Sequence, residues 1–575
     1  MKKILISLLI FSSNILLSQV LFQKITNQPL VLDNSYGSGC AWGDYNNDGK
    51  LDLIVTSYND FGPSSYPSLY KNLGSGNFQL VNNSTVMTNS LYQTLACAWG
   101  DYNYDGKLDL FISTGFNQPD LLYKNIGGGN FIRVTDCAPV LASGHSGGIC
   151  WTDYNKDGYL DILVVQHGYN LLYKGLSGGQ FQQITTGPIV SDYGLHRRAA
   201  WGDYNNDKYP DLFVTNGDFQ NDNLYLNNRN GTFTKITTGD IVNSAGYGSG
   251  CSWGDYNNDG WLDLFVANSG PNFLYKNNRN GTFTKITTGS IVTDANNSFG
   301  CNWGDYDNDG DLDLFVANNY NQKNSLYKNN GGDNFIKITT DIVVNEISSS
   351  VGASWGDYSN DGKLDLFVVN QGYGTSAQND FLYKNISAHP FYIIIKLFGG
   401  GIGTRIKIRI GNYVAIREVS GGNSCSSQDM PWVHFGLGFL GDNPLATIDS
   451  LIVDWHDGHR EVLTNVSINQ VLEFHGIISV QQISSEVPSK YSLHQNYPNP
   501  FNPSTTIDYT LVKNSYVKLI IYDLSGKEVS LLVNEVQSHG IYRVEFDASK
   551  LSSGVYFYKL EAEEFTDTKK MILVK

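Results

Sequence analysis

The sequence predicts an all-β protein in which a seven-bladed β-propeller is followed by two smaller β-domains. Three observations predict it. One short pattern recurs seven times, starting at Asp44, Asp101, Asp153, Asp203, Asp255, Asp305 and Asp357, at intervals of 50 to 57 residues. A period that long and even is the mark of a repeat architecture. Each repeat holds four short runs of β-forming residues, the strand count of a propeller blade. Finally, 13% aromatic residues, 60 glycines and only 16% charged residues suit an exported all-β chain.

Met1-Lys2-Lys3 followed by the apolar run Ile4 to Leu17 reads as a secretory signal peptide over residues 1–18, cleaved after Ser18. The run is too short for a good membrane span, and no other stretch reaches that length.

Residues 19–388 hold the repeats. In the fifth, Cys251-Ser252-Trp253 ends the first strand and Leu264-Phe265-Val266 forms the second. Leu274 to Asn277 lies in the third, and the turn Asn280-Gly281 leads to the fourth, Phe283 to Thr287. Fourth strands begin at Phe22, Phe78, Phe131, Phe181, Phe233, Phe283 and Phe335, and none follows the last Leu-Tyr-Lys-Asn at Leu382 to Asn385. The spare copy precedes the first repeat. Phe22-Gln23-Lys24-Ile25-Thr26 is therefore expected to cross over as the outer strand of the last blade, which leaves no exposed edge where the chain begins.

The recurring pattern lies between the first and second strands. In the first copy Asp44, Asn46, Asp48 and Asp52 occupy loop positions 1, 3, 5 and 9, and Lys50 at position 7 offers its carbonyl. Alternate positions of a tight loop converge on one centre, and Gly49 supplies a residue that tolerates positive φ. An oxygen-only donor set with several carboxylates and no Cys or His suits Ca²⁺ over Zn²⁺ or Mg²⁺. No Glu stands at position 12 and no helices flank the loop, so it joins two strands. The same positions are Asp101, Asn103, Asp105, Lys107 and Asp109 in the second copy, and Asp153, Asn155, Asp157, Tyr159 and Asp161 in the third. They are Asp203, Asn205, Asp207, Tyr209 and Asp211 in the fourth, and Asp255, Asn257, Asp259, Trp261 and Asp263 in the fifth. The sixth has Asp305, Asp307, Asp309, Asp311 and Asp313, and the seventh Asp357, Ser359, Asp361, Lys363 and Asp365. Up to seven Ca²⁺ ions are expected, each clamping a hairpin. The fourth site is expected to be weakest, because Lys208 stands where the glycine belongs and Pro210 follows.

The net charge of −16 has the same source, since the seven acid triples hold 21 carboxylates. Such acidity argues against nucleic acid as a partner. Cys40, Cys97, Cys251 and Cys301 precede the repeat tryptophans by two residues and read as small buried side chains. Cys137, Cys150 and Cys425 are unassigned, with a Cys137–Cys150 disulfide left open.

These repeats resemble FG-GAP/VCBS repeats, the integrin α-like family. The resemblance implies structural Ca²⁺ loops on one face and partners docking on the other. Residues 389–475 change character. Arg405-Ile406-Lys407-Ile408-Arg409-Ile410 alternates strictly, one face aliphatic and one basic. With Glu418 to Gly422, His434 to Gly438 and Ile452 to Gly458, this segment resembles the ASPIC/UnbV domain, although Trp455-His456-Asp457-Gly458 replaces that family's usual Trp-Pro-x-Gly. Residues 476–490 read as a polar linker. Residues 491–575 open on Asn499-Pro500-Phe501-Asn502-Pro503 and contain Tyr522-Asp523 and Ser553-Gly554-Val555-Tyr556. They resemble the type A sorting domain of the type IX secretion system, expected as an Ig-like β-sandwich. That implies the secretion machinery as a partner, and a secreted or surface-attached product.

The second-to-third-strand loops lie on the face opposite the Ca²⁺ loops. They carry exposed-looking aromatics, Tyr58, Phe116, Tyr169, Phe219, Phe273, Tyr320 and Tyr373, on a rigid scaffold suited to recognition. The repeats contain three histidines, His145, His167 and His196, with Arg197 and Tyr193 near the last. Two functions follow. The leading one is a non-catalytic surface protein binding carbohydrate or protein through this face. The alternative is a Ca²⁺-dependent polysaccharide lyase acting on a uronate-containing glycan, with these five residues as its centre.

Overall fold

The computed structural model describes residues 21–32, 34–58, 66–82, 85–88, 93–115, 117–372, 376–388, 391–398, 401–422, 424–440, 446–475, 481–484, 488–537, 539–548, 551–563 and 565–575. The signal-peptide reading, Phe116 and Tyr373 fall outside them.

Each repeat folds into a four-stranded antiparallel unit. In the fifth, the strands are Gly248–Gly254, Asp263–Pro271, Phe273–Asn277 and Phe283–Ile286. Their order in space is their order in sequence. Successive side chains point to opposite faces and both faces are covered by neighbouring units, so Leu264, Phe265, Leu274 and Tyr275 are all buried, the first and last in one apolar cluster and the middle two in another. Phe22–Ile25 pairs antiparallel with Phe381–Asn385 in the last unit, in the register Phe22↔Asn385 to Ile25↔Leu382. The spare strand therefore crosses over as the repeat count predicts.

Aromatic stacking joins successive units. Tyr45 stacks on Trp99 at 6.1 Å, Tyr204 on Trp253 at 6.0 Å, and Tyr358 of the last unit on Trp42 of the first at 6.1 Å. Asparagine side chains follow the same route. Asn125 Nδ2 donates to Tyr45 O at 2.7 Å, and Asn72 Nδ2 donates to Tyr358 O at 3.0 Å, again linking first to last. The arrangement is propeller-like, with the first strand of each unit innermost.

Residues 391–475 form a cap on this array. Its three-stranded sheet pairs Tyr392–Phe398 antiparallel with Val433–Gly436 and parallel with Gln470–His475. Its four-stranded sheet contains Arg405–Ile410, Tyr413–Glu418, Thr447–Asp454 and Arg460–Ser467. Ile406 and Ile408 are buried while Lys407 and Arg409 are exposed, as the alternation requires.

One part of the cap, residues 420–422 and 424–430, runs into the channel enclosed by the inner strands. Gln428 N donates to Cys40 O at 2.9 Å, and Gln428 O accepts from Trp42 N at 3.3 Å. Gln428 Oε1 accepts from Trp99 N at 2.8 Å. Gly421 O accepts from Trp151 N, Ser424 N donates to Cys251 O, and Met430 N donates to Trp355 O. Asp429 accepts from Asn302 Nδ2 at 3.0 Å. The segment thus satisfies inner-strand groups that a central channel would otherwise leave to water.

The C-terminal region has two four-stranded antiparallel sheets over one shared core that includes Leu519, Tyr558 and Val544. The polar stretch 476–490 contributes a strand to it, because Gln481–Ser484 pairs with Gly540–Asp547. All seven cysteines are free and buried, so Cys137 and Cys150 form no disulfide.

Candidate metal centres

The seven loops repeat one geometry. At position 1, Asp255 Oδ1 accepts from Asp259 N at 2.9 Å and Oδ2 from Gly260 N at 3.0 Å. Asp44, Asp101, Asp153 and Asp357 do the same with their own loop amides. At position 9, one oxygen is tied to the third strand, as where Asn277 N donates to Asp263 Oδ1 at 2.7 Å. These bonds aim the remaining oxygens inward. Position 6 has positive φ in every copy, from Lys208 at 77° to Gly310 at 100°. A lysine in that region is strained, yet the fourth loop keeps the common bonds, Asp207 N and Lys208 N donating to the Asp203 carboxylate at 2.9 and 2.8 Å.

The sequence reading missed position 4. Asn47, Tyr104, Lys156, Asn206, Asn258, Asn308 and Asn360 all have φ between 53° and 60°. The available signal was asparagine at that position in five of the seven copies, the residue that best tolerates this conformation after glycine. Several of these side chains link neighbouring loops, as where Asn47 Nδ2 donates to Gly106 O at 2.9 Å.

Several inward oxygens are buried without a hydrogen-bond partner: Asn103 Oδ1, Asp211 Oδ2, Asn257 Oδ1, Asp305 Oδ1, Asp307 Oδ1, Asp313 Oδ2 and Ser359 Oγ. All lie at loop positions 1, 3 or 9. Orphaned buried acceptors are costly, and their concentration at these positions fits a cation. In the sixth loop Asp305, Asp307 and Asp313 offer carboxylate oxygens within 4.8 Å of one another, all buried. Burial pushes Asp52 up to about 8 and Asp101 up to about 7. Asp305 and Asp313 rise well above the usual range, through burial first and neighbouring carboxylates second. A divalent cation among them is the charge that would let each triple ionise together. The donor set is oxygen only, which fits a hard cation.

The cap sits on these loops. Lys396 Nζ donates to Gly49 O at 3.1 Å, Tyr413 Oη to Gly310 O at 2.6 Å, and Gly436 N to Asp305 Oδ2 at 3.0 Å. Arg405 Nη2 donates to Asp203 O at 2.7 Å, and Arg405 also bonds the Asn206 side chain. His456, which replaces the expected proline, places Nδ1 3.2 Å from Asp153 Oδ2.

On the opposite face, Tyr169, Phe219 and Tyr320 are exposed, whereas Tyr58 and Phe273 are buried, contrary to expectation. Phe273 turns inward against Tyr275 at 6.0 Å and under the Lys285 ammonium at 3.7 Å. Tyr193 is 75% exposed and meets Tyr169 edge-on at 5.3 Å. The histidines do not form one cluster. His145 and His167 rings lie 5.1 Å apart. His196 is fully buried, with Nδ1 3.0 Å from Asn170 Oδ1 and Nε2 3.4 Å from Asn223 Nδ2. A neutral ring protonated at Nδ1 satisfies both contacts, so His196 is a core residue and does not reach the face expected of it. Arg197 turns to Tyr247, donating from Nη2 to its hydroxyl at 2.6 Å.

Fold and loops together define a capped, propeller-like repeat protein with acidic oxygen-donor loops. The FG-GAP-like repeat model matches residues 44–112, 101–164, 153–214, 203–266, 255–316 and 305–368, more than half of the chain. The chain belongs to the FG-GAP-like repeat family. The ASPIC and UnbV model matches residues 399–479, and the secretion system C-terminal sorting domain model matches 495–575. The sorting domain marks the protein for type IX secretion to the cell surface or beyond, and implies contact with that machinery. No helix among the described residues is long and apolar enough to cross a membrane. No curated protein matches the chain. Among solved structures, a Tc holotoxin pore of Photorhabdus luminescens matches at 11% identity and a TM-score of 0.33, over 81% of this chain and 22% of that one. The chain thus spans about a fifth of that relative. A tetra-tandem repeat from the extending region of a large adhesion protein matches at 11% identity and a TM-score of 0.12, over 94% of this chain and 99% of the other.

Proposed function

We propose that the protein is a secreted or surface-held, non-catalytic calcium-binding protein that recognises carbohydrate or protein ligands through the face opposite its metal loops. In this reading the repeats close as a seven-bladed β-propeller, and the C-terminal sandwich is the Ig-like sorting module. Ca²⁺ supplies the positive charge that holds each acid triple together. Asp305, Asp307 and Asp313 are the best-matched donors, and the fourth loop, with Lys208, is the weakest.

The observation that carries the reading is the cap. Residues 391–475 occupy the loop face, with Lys396, Arg405, Tyr413 and His456 on four different loops. Among the described residues no bond of the cap reaches the opposite face, and there Tyr169, Tyr193, Phe219 and Tyr320 hold large exposed rings. His196, buried between two asparagines, lends no support to the lyase alternative.

A glycan and protein array probed with the mature chain tests this. Binding is expected, and Tyr193→Ala together with Phe219→Ala should abolish it without lowering the melting temperature. Binding that survives alanine at all four exposed rings would move the site elsewhere. Turnover of a uronate-containing polysaccharide to unsaturated products would refute the non-catalytic reading.

A further inference from the structure

Two repeat tryptophans differ from the rest. Trp42, Trp99, Trp151, Trp303 and Trp355 are buried, but Trp201 and Trp253 are only half-buried. Both line a cavity of about 740 Å³ between the middle repeats and the cap.

The cause is local to the fourth repeat. The channel segment 420–430 sends its hydrogen bonds to repeats one, two, three, five, six and seven. Three residues before each repeat tryptophan stands Gly39, Ala96, Gly148, Gly250, Gly300 or Gly352, small enough to admit that segment. In the fourth repeat the residue is Arg198, whose side chain lies across Gly147 and Gly148. The Trp201 indole N–H lacks the carbonyl that its counterparts find, such as Ala200 O for Trp253 at 3.1 Å. The fourth loop carries a lysine in place of the glycine at the same place, and this Lys208 is exposed on the cavity lining.

The lining chemistry narrows the ligand. Of the tryptophans on the lining, the two half-buried ones, each stacked on a tyrosine within the repeats, stand among groups of both signs, Lys208 and Lys407 with Glu418 and Asp454. Indole faces take the C–H face of a sugar ring, and neighbouring ammonium and carboxylate groups bond its hydroxyls. A ligand of single charge would meet opposed charges there, whereas a neutral polyhydroxyl one meets partners throughout. The volume lies within the range of small-ligand sites, roughly 300–1,000 Å³. We propose that this cleft is a second binding site, separate from the opposite face, that takes a short neutral oligosaccharide with one sugar ring against Trp201 and Trp253.

The test is titration of the mature full-length chain with cellotriose, laminaritriose, mannotriose and xylotriose, read by tryptophan fluorescence and calorimetry. A saturable response to at least one is expected. Trp253→Phe should weaken it about tenfold or more, equivalent to about 1.4 kcal/mol. Lys407→Trp, which obstructs the cleft from an exposed strand position, should do the same with an unchanged melting curve. Tyr193→Ala should leave the response intact, so the two sites fail independently. Silence across all four sugars overturns the proposal. So does full affinity in Lys407→Trp, or a response lost in Tyr193→Ala and kept in both cleft variants.

Discussion

Asp305, Asp307 and Asp313 each bury an oxygen that no hydrogen bond reaches. Such groups gain most from a cation, and a ligand that binds only the folded state stabilises it by mass action. At a hundredfold excess over its Kd, one filled site contributes about 2.7 kcal/mol. Chelation should therefore lower the melting temperature, and Asp313→Asn should reduce the difference between calcium-loaded and chelated samples in calorimetry. An identical melting curve with chelator would contradict the loop assignment. His196 gives a pH signature of its own. Burial lowers it from 6.5 to about 4, so the unfolded chain binds a proton that the folded chain refuses. Its contribution is intact above about pH 6.5 and is lost as pH falls towards 4, on the order of 3 kcal/mol in all. His196→Gln should flatten that part of the stability profile. An unchanged acid slope would place the ring in water. The donor positions were legible because they recur. The fate of His196 was not, because its two asparagine partners lie 26 and 27 residues away, Asn170 in a turn and Asn223 in another strand.

At the scale of elements, the count of phenylalanine-led strands was enough to predict the crossover of Phe22–Ile25. Phe22 is buried against Tyr306 at 5.8 Å and Trp355 at 6.2 Å, as Phe78 is against Tyr358 and Trp42. Phe22→Ala should cost about 3–5 kcal/mol, the usual range for a large buried aromatic. It should also free the edge of Phe381–Asn385, which is read as faster hydrogen exchange there. Wild-type exchange in that strand would argue against the pairing. Less legible were the extended second strands. Asp161–Gly168 and Asp263–Pro271 run past their own unit to pair with Gly194–Gly202 and Ala295–Gly304. Gly168 at φ 109° and Gly270 at φ 110° set those turns, and nothing in the local pattern separates them from other loop glycines.

For the molecule as a whole, the contact between cap and channel decides whether the first two domains are one folding unit. The sequence gives little hint of it, because the bonds of the channel segment, from its backbone and from the Ser424, Gln428 and Asp429 side chains alike, end mostly on inner-strand backbone groups, which carry no side-chain signature. What it demands of the partner is space. A Cβ on Gly39 would stand 2.2 Å from Ser426 O, and one on Gly352 would stand 2.5 Å from Ser427 Oγ and 2.8 Å from Cys425 O. A Cβ on Gly39 would also stand 2.9 Å from Leu95 O of the neighbouring inner strand, whereas the three atoms nearest to one on Gly352 all belong to the inserted segment. Ala96 carries a Cβ at the same repeat position, so the constraint at Gly352 comes from that segment. Gly352→Val should therefore expel this segment while the repeats keep their fold, since valine favours strand geometry. The expected result is new proteolytic cleavage between Gly421 and Met430, with a lowered melting temperature that removal of the cap does not lower further. If Gly352→Val leaves both cleavage and melting as in the wild type, the segment is not seated in the channel, and the cap is an independent domain resting on the loops.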